Sequence, residues 1–82
     1  AEFFAGFEKH NREFVQRISE RYPGLTKIEF KLCCLLRAGY SNTQISEMTN
    51  RTLRAVETTR YRMRKKLPIT TYEDLSVFLM RI

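Results

Sequence analysis

The sequence predicts an all-α protein, and three observations carry that expectation. Apolar residues recur at three- and four-residue spacing, strand-like alternation is absent, and Gly and Pro, Gly6 apart, fall between the periodic segments. Helix-start chemistry also precedes those segments, at Thr26, Ser41 and Thr52.

The first helix is expected over about residues 2 to 21. Phe7, Phe14 and Ile18, with Phe3 and Phe4 ahead of them, form one apolar stripe. The stripe can cover the following domain or pair with a partner chain; His10 and Asn11 interrupt it, so packing is expected at its C-terminal half, with both options open for its N-terminal half. "YPG" at 22–24 ends the helix, because a proline disfavours a helical residue before it. The second helix opens on a capping box, Thr26 with Glu29, flanked by a Leu25–Phe30 hydrophobic staple. It runs through Leu32, Cys33, Leu35 and Leu36 to Gly39, a left-handed stop. A second capping box, Ser41 with Gln44, opens a short helix to about Met48, with Ile45 and Met48 inward. "TNRT" at 49–52 makes a turn, and Thr52 caps a helix that buries Val56, Met63 and Leu67, flanked by Thr59 and Arg60. Pro68 stops it. A last helix is expected from Thr70 or Thr71 to about residue 81, with Glu73 and Asp74 in its first turn and Leu75, Phe78 and Leu79 buried.

Two helices joined by a short turn, after a bracing helix, form the pattern of a helix-turn-helix. The expected organisation is therefore an N-terminal amphipathic helix or linker to an upstream region over 1–23, then a helix-turn-helix domain over 24–82.

Composition bounds the function classes. Eighty-two residues, 43% hydrophobic and 29% charged, suit one small globular domain. The two cysteines are adjacent, which suits buried reduced thiols better than a disulfide framework or a metal site. The longest apolar run, "LCCLL", is far short of the ~20 residues needed to span a bilayer. "AEFFAGF" has no basic leader, and the chain lacks an initiating Met, so a segment of a longer cytoplasmic protein is expected. Catalysis is not expected: there is one His, no nucleophile elbow, no phosphate-binding Gly loop and no paired carboxylates. No cofactor or metal is implied.

The charge is unevenly placed. Residues 51–66 hold seven basic residues and one acid, and the other sixty-six carry eight of each. The whole formal charge of +6 therefore sits on sixteen residues. A solvated face normally mixes signs, so this concentration points to a polyanion. A membrane surface fits poorly, because Val56, Met63 and Leu67 are too few to form an interfacial apolar face and suit a core.

At 100° per residue, the face opposite that core stripe presents Arg54, Glu57, Thr58, Tyr61, Arg62 and Lys65, with Arg64 at its flank. N-terminal positions of such a helix reach base edges and later ones drift towards the backbone. Arg54, Glu57, Thr58 and Tyr61 are thus assigned to base reading, through arginine–guanine and glutamate–cytosine chemistry and hydroxyl contacts. Arg51, Arg62, Arg64, Lys65 and Lys66 are assigned to phosphates. Ser41, Asn42 and Thr43, at a helix N-terminus, join that second group. Glu57 has a second option, since Arg54 and Arg60 lie three residues to either side.

Those residues carry a resemblance. "LTKIEFKLCCLLRAGYSNTQISEMTNRTLRAVETTRYRMRKKL", residues 25–67, resembles the LuxR/GerE-type domain, usually LTxxExxVLxLxxxGxSNxEIAxxLxxSxxTVxxHxxxIxxKL. Leu25, Thr26, Glu29, Leu35, Gly39, Ser41, Asn42, Ile45, Val56, Lys66 and Leu67 fall in register. The ending "RYRMRKKL" looks like a subgroup at the C-terminal end of large Bacteroidetes regulators. The resemblance implies a four-helix DNA-binding effector domain of a bacterial transcription regulator, with residues 52–67 as recognition helix. It also implies a homodimer through the C-terminal helix; the Phe stripe of the first helix offers another dimer surface. Gln44, Ser46, Ala55, Glu57 and Thr59 depart from the family pattern, so phosphate contacts of the usual Thr and Lys do not carry over to Ala55 and Glu57. Two other readings stay open: a sigma-factor region-four-like promoter domain acting with RNA polymerase, and a protein-interaction module docking an acidic partner.

Overall fold

The computed structural model describes residues 2–70 and 72–82. Among them it holds α1 (Glu2–His10), α2 (Arg12–Arg21), α3 (Lys27–Arg37), α4 (Asn42–Thr49), α5 (Leu53–Arg64) and α6 (Leu75–Met80), and no strand. The all-α expectation is met. Helix α3 is the central strut, packed by α1, α5 and α6, while α4 lies against α5.

The leading helix is two helices rather than one. Asn11 leaves helical geometry at φ −131°, ψ 40°, and both its backbone N–H and its side-chain amide donate to the Phe7 carbonyl, at 2.8 and 3.1 Å. A side chain that serves the backbone locally in this way competes with helix continuation. The break lets both halves of the stripe face inward. Phe7 and Phe14 meet edge to face at 5.8 Å, and Phe3 stacks on Phe7 at 5.6 Å. The N-terminal half therefore packs as well, with Phe3 and Phe4 half-buried on the core.

Phe7, Phe14 and Ile18 belong to one buried cluster with Leu32, Leu36, Ile45, Met63, Leu75 and Leu79. Polar bonds reinforce that junction: Arg17 donates to the Ile82 carbonyl at 2.6 Å and Arg37 to that of Leu79 at 2.5 Å. Residues before position 23 thus share the core of those after it. Ile18 is fully buried, so Ile18→Ala is expected to cost ~2–4 kcal/mol in urea unfolding. A loss under 1 kcal/mol would mean that α2 is peripheral.

Local chemistry explains the other boundaries. In α3, Glu29 N–H donates to the Thr26 hydroxyl and Thr26 N–H to the Glu29 carboxylate, which closes the expected box. Gly39, at φ 95°, donates to the Leu36 carbonyl while Tyr40 donates to that of Leu35. These are the paired bonds of a Schellman stop. Helix α4 opens on the Ser41–Gln44 box and stops the same way, with Asn50 at φ 53° and Arg51 N–H bonded to the Ser46 carbonyl. Ser46 also donates its hydroxyl to the Arg51 carbonyl at 2.5 Å. Only Asn50, Arg51 and Thr52 then separate α4 from α5, and Thr52 caps α5 by accepting from Ala55 N–H.

Four expectations need correction. Met48 is 45% exposed rather than inward, and Phe78 is only half-buried. Helix α5 ends at Arg64, and tighter i→i+3 bonds carry the chain on to Leu67, which stays buried. Helix α6 starts later than expected, on Asp74, whose carboxylate accepts from Val77 N–H at 3.1 Å. The Thr70 carbonyl instead takes bonds from Glu73 N–H and Arg64, so that segment forms a turn; Thr71 lies outside the described residues.

Candidate nucleic-acid interface

Helix α5 is held by its inner face. Val56 and Met63 are buried, and Thr59 is buried with its hydroxyl donating to the Ala55 carbonyl at 2.9 Å. That bond satisfies the one polar group on this face, at the position where a larger residue would meet the core. Arg54, Glu57, Thr58, Tyr61, Arg62 and Lys65 are all exposed, so the four residues assigned to base reading stand on one outward surface. Lys65 Nζ lies 4.4 Å from the Tyr61 ring centre, a cation–π contact that holds the ammonium over the ring.

The two edges of that surface are built differently. On one edge, Arg60 donates to the Asn42 side-chain oxygen at 2.7 Å, tying the middle of α5 to the start of α4. Ser41 spends its N–H and hydroxyl on the capping box. The backbone N–H groups of Asn42 and Thr43 are left as the donors of the α4 N-terminus, where anions are favoured. On the other edge a cleft of 570 Å³ separates α5 from the start of α3. Arg51, Arg62, Lys65 and Lys66 line one side, with Thr26 and Glu29 opposite.

The basic residues divide into two groups. Arg51, Arg54, Arg62 and Lys65 are exposed and form no ion pair among the described residues. Lys66 is committed inward, its ammonium 2.7 Å from Glu29 Oε1 and 3.1 Å from the Gly24 carbonyl. Arg64, half-buried, donates to the carbonyls of Glu73 and Thr70 and so fastens the loop that follows α5. Asn42 likewise spends its side-chain oxygen on Arg60. Of the eight residues assigned to phosphates, Lys66 and Arg64 thus serve the fold, and Asn42 offers chiefly its backbone. The Glu29–Lys66 and Arg60–Asn42 bonds had no signal in the sequence, because they join residues 37 and 18 positions apart.

Glu29 sits at the back of the cleft, 3% exposed. Burial alone would raise its carboxyl, but hydrogen bonds from Lys66 and from the Thr26 backbone and hydroxyl, with the Lys66 charge, outweigh it together. The net result is a carboxyl below its ordinary range. The Cys33 and Cys34 thiols are buried in α3 and pushed up to about 12, chiefly by burial, with smaller contributions from Cys34 and Glu29 for Cys33 and from Glu8 for Cys34. Thiols in that state are poor nucleophiles.

Among the described residues no group of three or more His, Cys, Asp or Glu is arranged to hold a metal, and no helix is long and apolar enough to cross a membrane. Comparison of the chain with protein-family models, curated proteins and solved structures found no match, so the functional argument rests on its own residues.

Proposed function

We propose that the chain binds double-stranded DNA sequence-specifically, as the effector domain of a bacterial transcription regulator. In this proposal α3–α6 form a LuxR/GerE-like helix-turn-helix unit, and α5 lies in the major groove. The observation that carries it is the outward face of α5: Arg54, Arg62 and Lys65, without ion pairs among the described residues, interleaved with Glu57, Thr58 and Tyr61, within the sixteen residues that hold all of the net charge. A phosphate-only surface needs no carboxylate, whereas base reading uses acceptors and donors together.

The edges of α5 suit the two strands that wall a groove. The α4 N-terminus offers backbone donors on one side, and Arg51, Arg62 and Lys65 line the cleft on the other. The three-residue turn between α4 and α5, closed by the Ser46 hydroxyl, holds these donors at a set distance. On α6, Val77 and Met80 are exposed three positions apart, which supports a second copy docking there on a two-fold site.

Titration of labelled duplexes at low salt tests the proposal, and the absence of binding by folded protein overturns it. Arg54→Ala is expected to cost ~1–3 kcal/mol on the preferred site and to relax one base position, while Lys65→Ala weakens all duplexes about equally. Equal loss on preferred and random duplexes for both variants would overturn the division into reading and clamping residues. A folded chain that ignores duplexes but retains an acidic protein partner would instead be an interaction module.

A further inference from the structure

We infer that Glu57 is the specificity-determining residue of the α5 surface and that it selects a cytosine in the major groove. This inference rests on the DNA-binding function proposed above.

The carboxylate stands exposed in the second turn of α5, on the face shared with Arg54, Tyr61 and Lys65. Its obvious partners along the helix are Arg54 and Arg60. Neither pairs with it: Arg60 turns to Asn42 at 2.7 Å, and no ion pair joins Glu57 to Arg54 among the described residues. The Asn42 side chain at the start of α4 therefore diverts the arginine that would otherwise neutralise Glu57. The one acid in the +6 segment is left with a bare charge.

A bare carboxylate on a phosphate-facing surface is repelled by every backbone it approaches, so it weakens binding to duplexes in general. It regains that loss only where a base offers a donor. An ionised carboxylate accepts and cannot donate. Guanine presents N7 and O6, both acceptors, and thymine presents O4 and a methyl group. Adenine offers its N6 amino group beside the N7 acceptor, which repels the second carboxylate oxygen. Cytosine offers its N4 amino group with no acceptor of its own in the major groove, and it is the base this side chain fits. Glu57 thus lowers affinity for most sequences and spares those with cytosine at one position.

Selection of bound duplexes from a random pool, run with the wild-type chain, Glu57→Gln and Glu57→Ala, tests this. The wild type is expected to enrich cytosine about tenfold at one position within the site. Glu57→Gln, which can donate as well as accept, is expected to move that position towards adenine, the base a glutamine reads through N6 and N7. Glu57→Ala is expected to lose the preference there and to bind random duplexes several-fold more tightly at low salt, because a like charge has gone. The exposed position lets all three chains fold, which circular dichroism checks. Enrichment of the same site, with unchanged preference at every position, by all three chains overturns this inference and leaves DNA binding standing. Failure of the wild type to enrich any duplex overturns both.

Discussion

Raising the salt from 50 to 200 mM is expected to weaken duplex binding by about 40-fold, the fall for ~3 neutralised phosphates at a log–log slope of ~−2.7. Three is the number of cations assigned to phosphates, Arg51, Arg62 and Lys65, that the fold leaves exposed without an ion pair among the described residues. If all seven basic residues of the segment met phosphates, the slope would approach ~−6.3 and the loss about 6,000-fold. The two outcomes lie far enough apart for a fluorescence titration at four salt concentrations to separate them. A slope near the steeper value would mean that Lys66 and Arg64 leave their intramolecular partners on binding.

Lys66→Ala is expected to damage the fold more than the interface. Removing its ammonium strips a buried carboxylate of its only cationic partner among the described residues. Breaking a fully buried pair costs ~3–5 kcal/mol and an exposed one under ~1. Lys66 is 39% exposed and Glu29 4%, so a loss of about 2 kcal/mol in urea unfolding at pH 7 is expected. Its pH dependence has a defined sign. The folded-state pKa of Glu29 is lowered, so the carboxylate contributes stability above the unfolded value of ~4.3, and that contribution is lost as pH falls through the folded value. In Lys66→Ala the burial that raises the carboxyl remains, while the Lys66 hydrogen bond and charge are gone and only the Thr26 bonds oppose it. The gap between wild type and variant should therefore be widest at neutral pH and narrow below pH ~4. A gap constant from pH 7 to 3.5 would show that the pair is not what the substitution removes. Glu29→Gln, which keeps the shape of the capping box, should lose less at pH 7 than Lys66→Ala, because no bare carboxylate is left buried.

Much of the molecule was legible in the chain because its signals are local. The boxes Thr26–Glu29 and Ser41–Gln44, the stop at Gly39 and the cap at Thr52 each depend on residues within four positions, and all four formed as expected. The outward face of α5 followed from the core spacing of Val56, Met63 and Leu67 alone. Two local choices went the other way. Asn11 bonds to its own backbone and splits the first helix, and Asp74 outcompetes Thr70 as a cap because the Thr70 carbonyl is already drawn into the turn by Arg64.

Charge sign and position were thus set by the sequence itself: sixteen residues carry +6, on a helix whose buried stripe decides which side chains face outward. Which of those charges remain available was decided only by tertiary structure. Lys66 is drawn to a carboxylate 37 positions earlier, Arg64 to the carbonyls of a later turn, and Arg60 to the Asn42 side chain at the start of another helix. The physical reason is that a buried acceptor recruits whichever donor folding brings near it, and no spacing along the chain records that proximity. Glu57, left without its arginine by the last of these bonds, is where that difference bears on recognition.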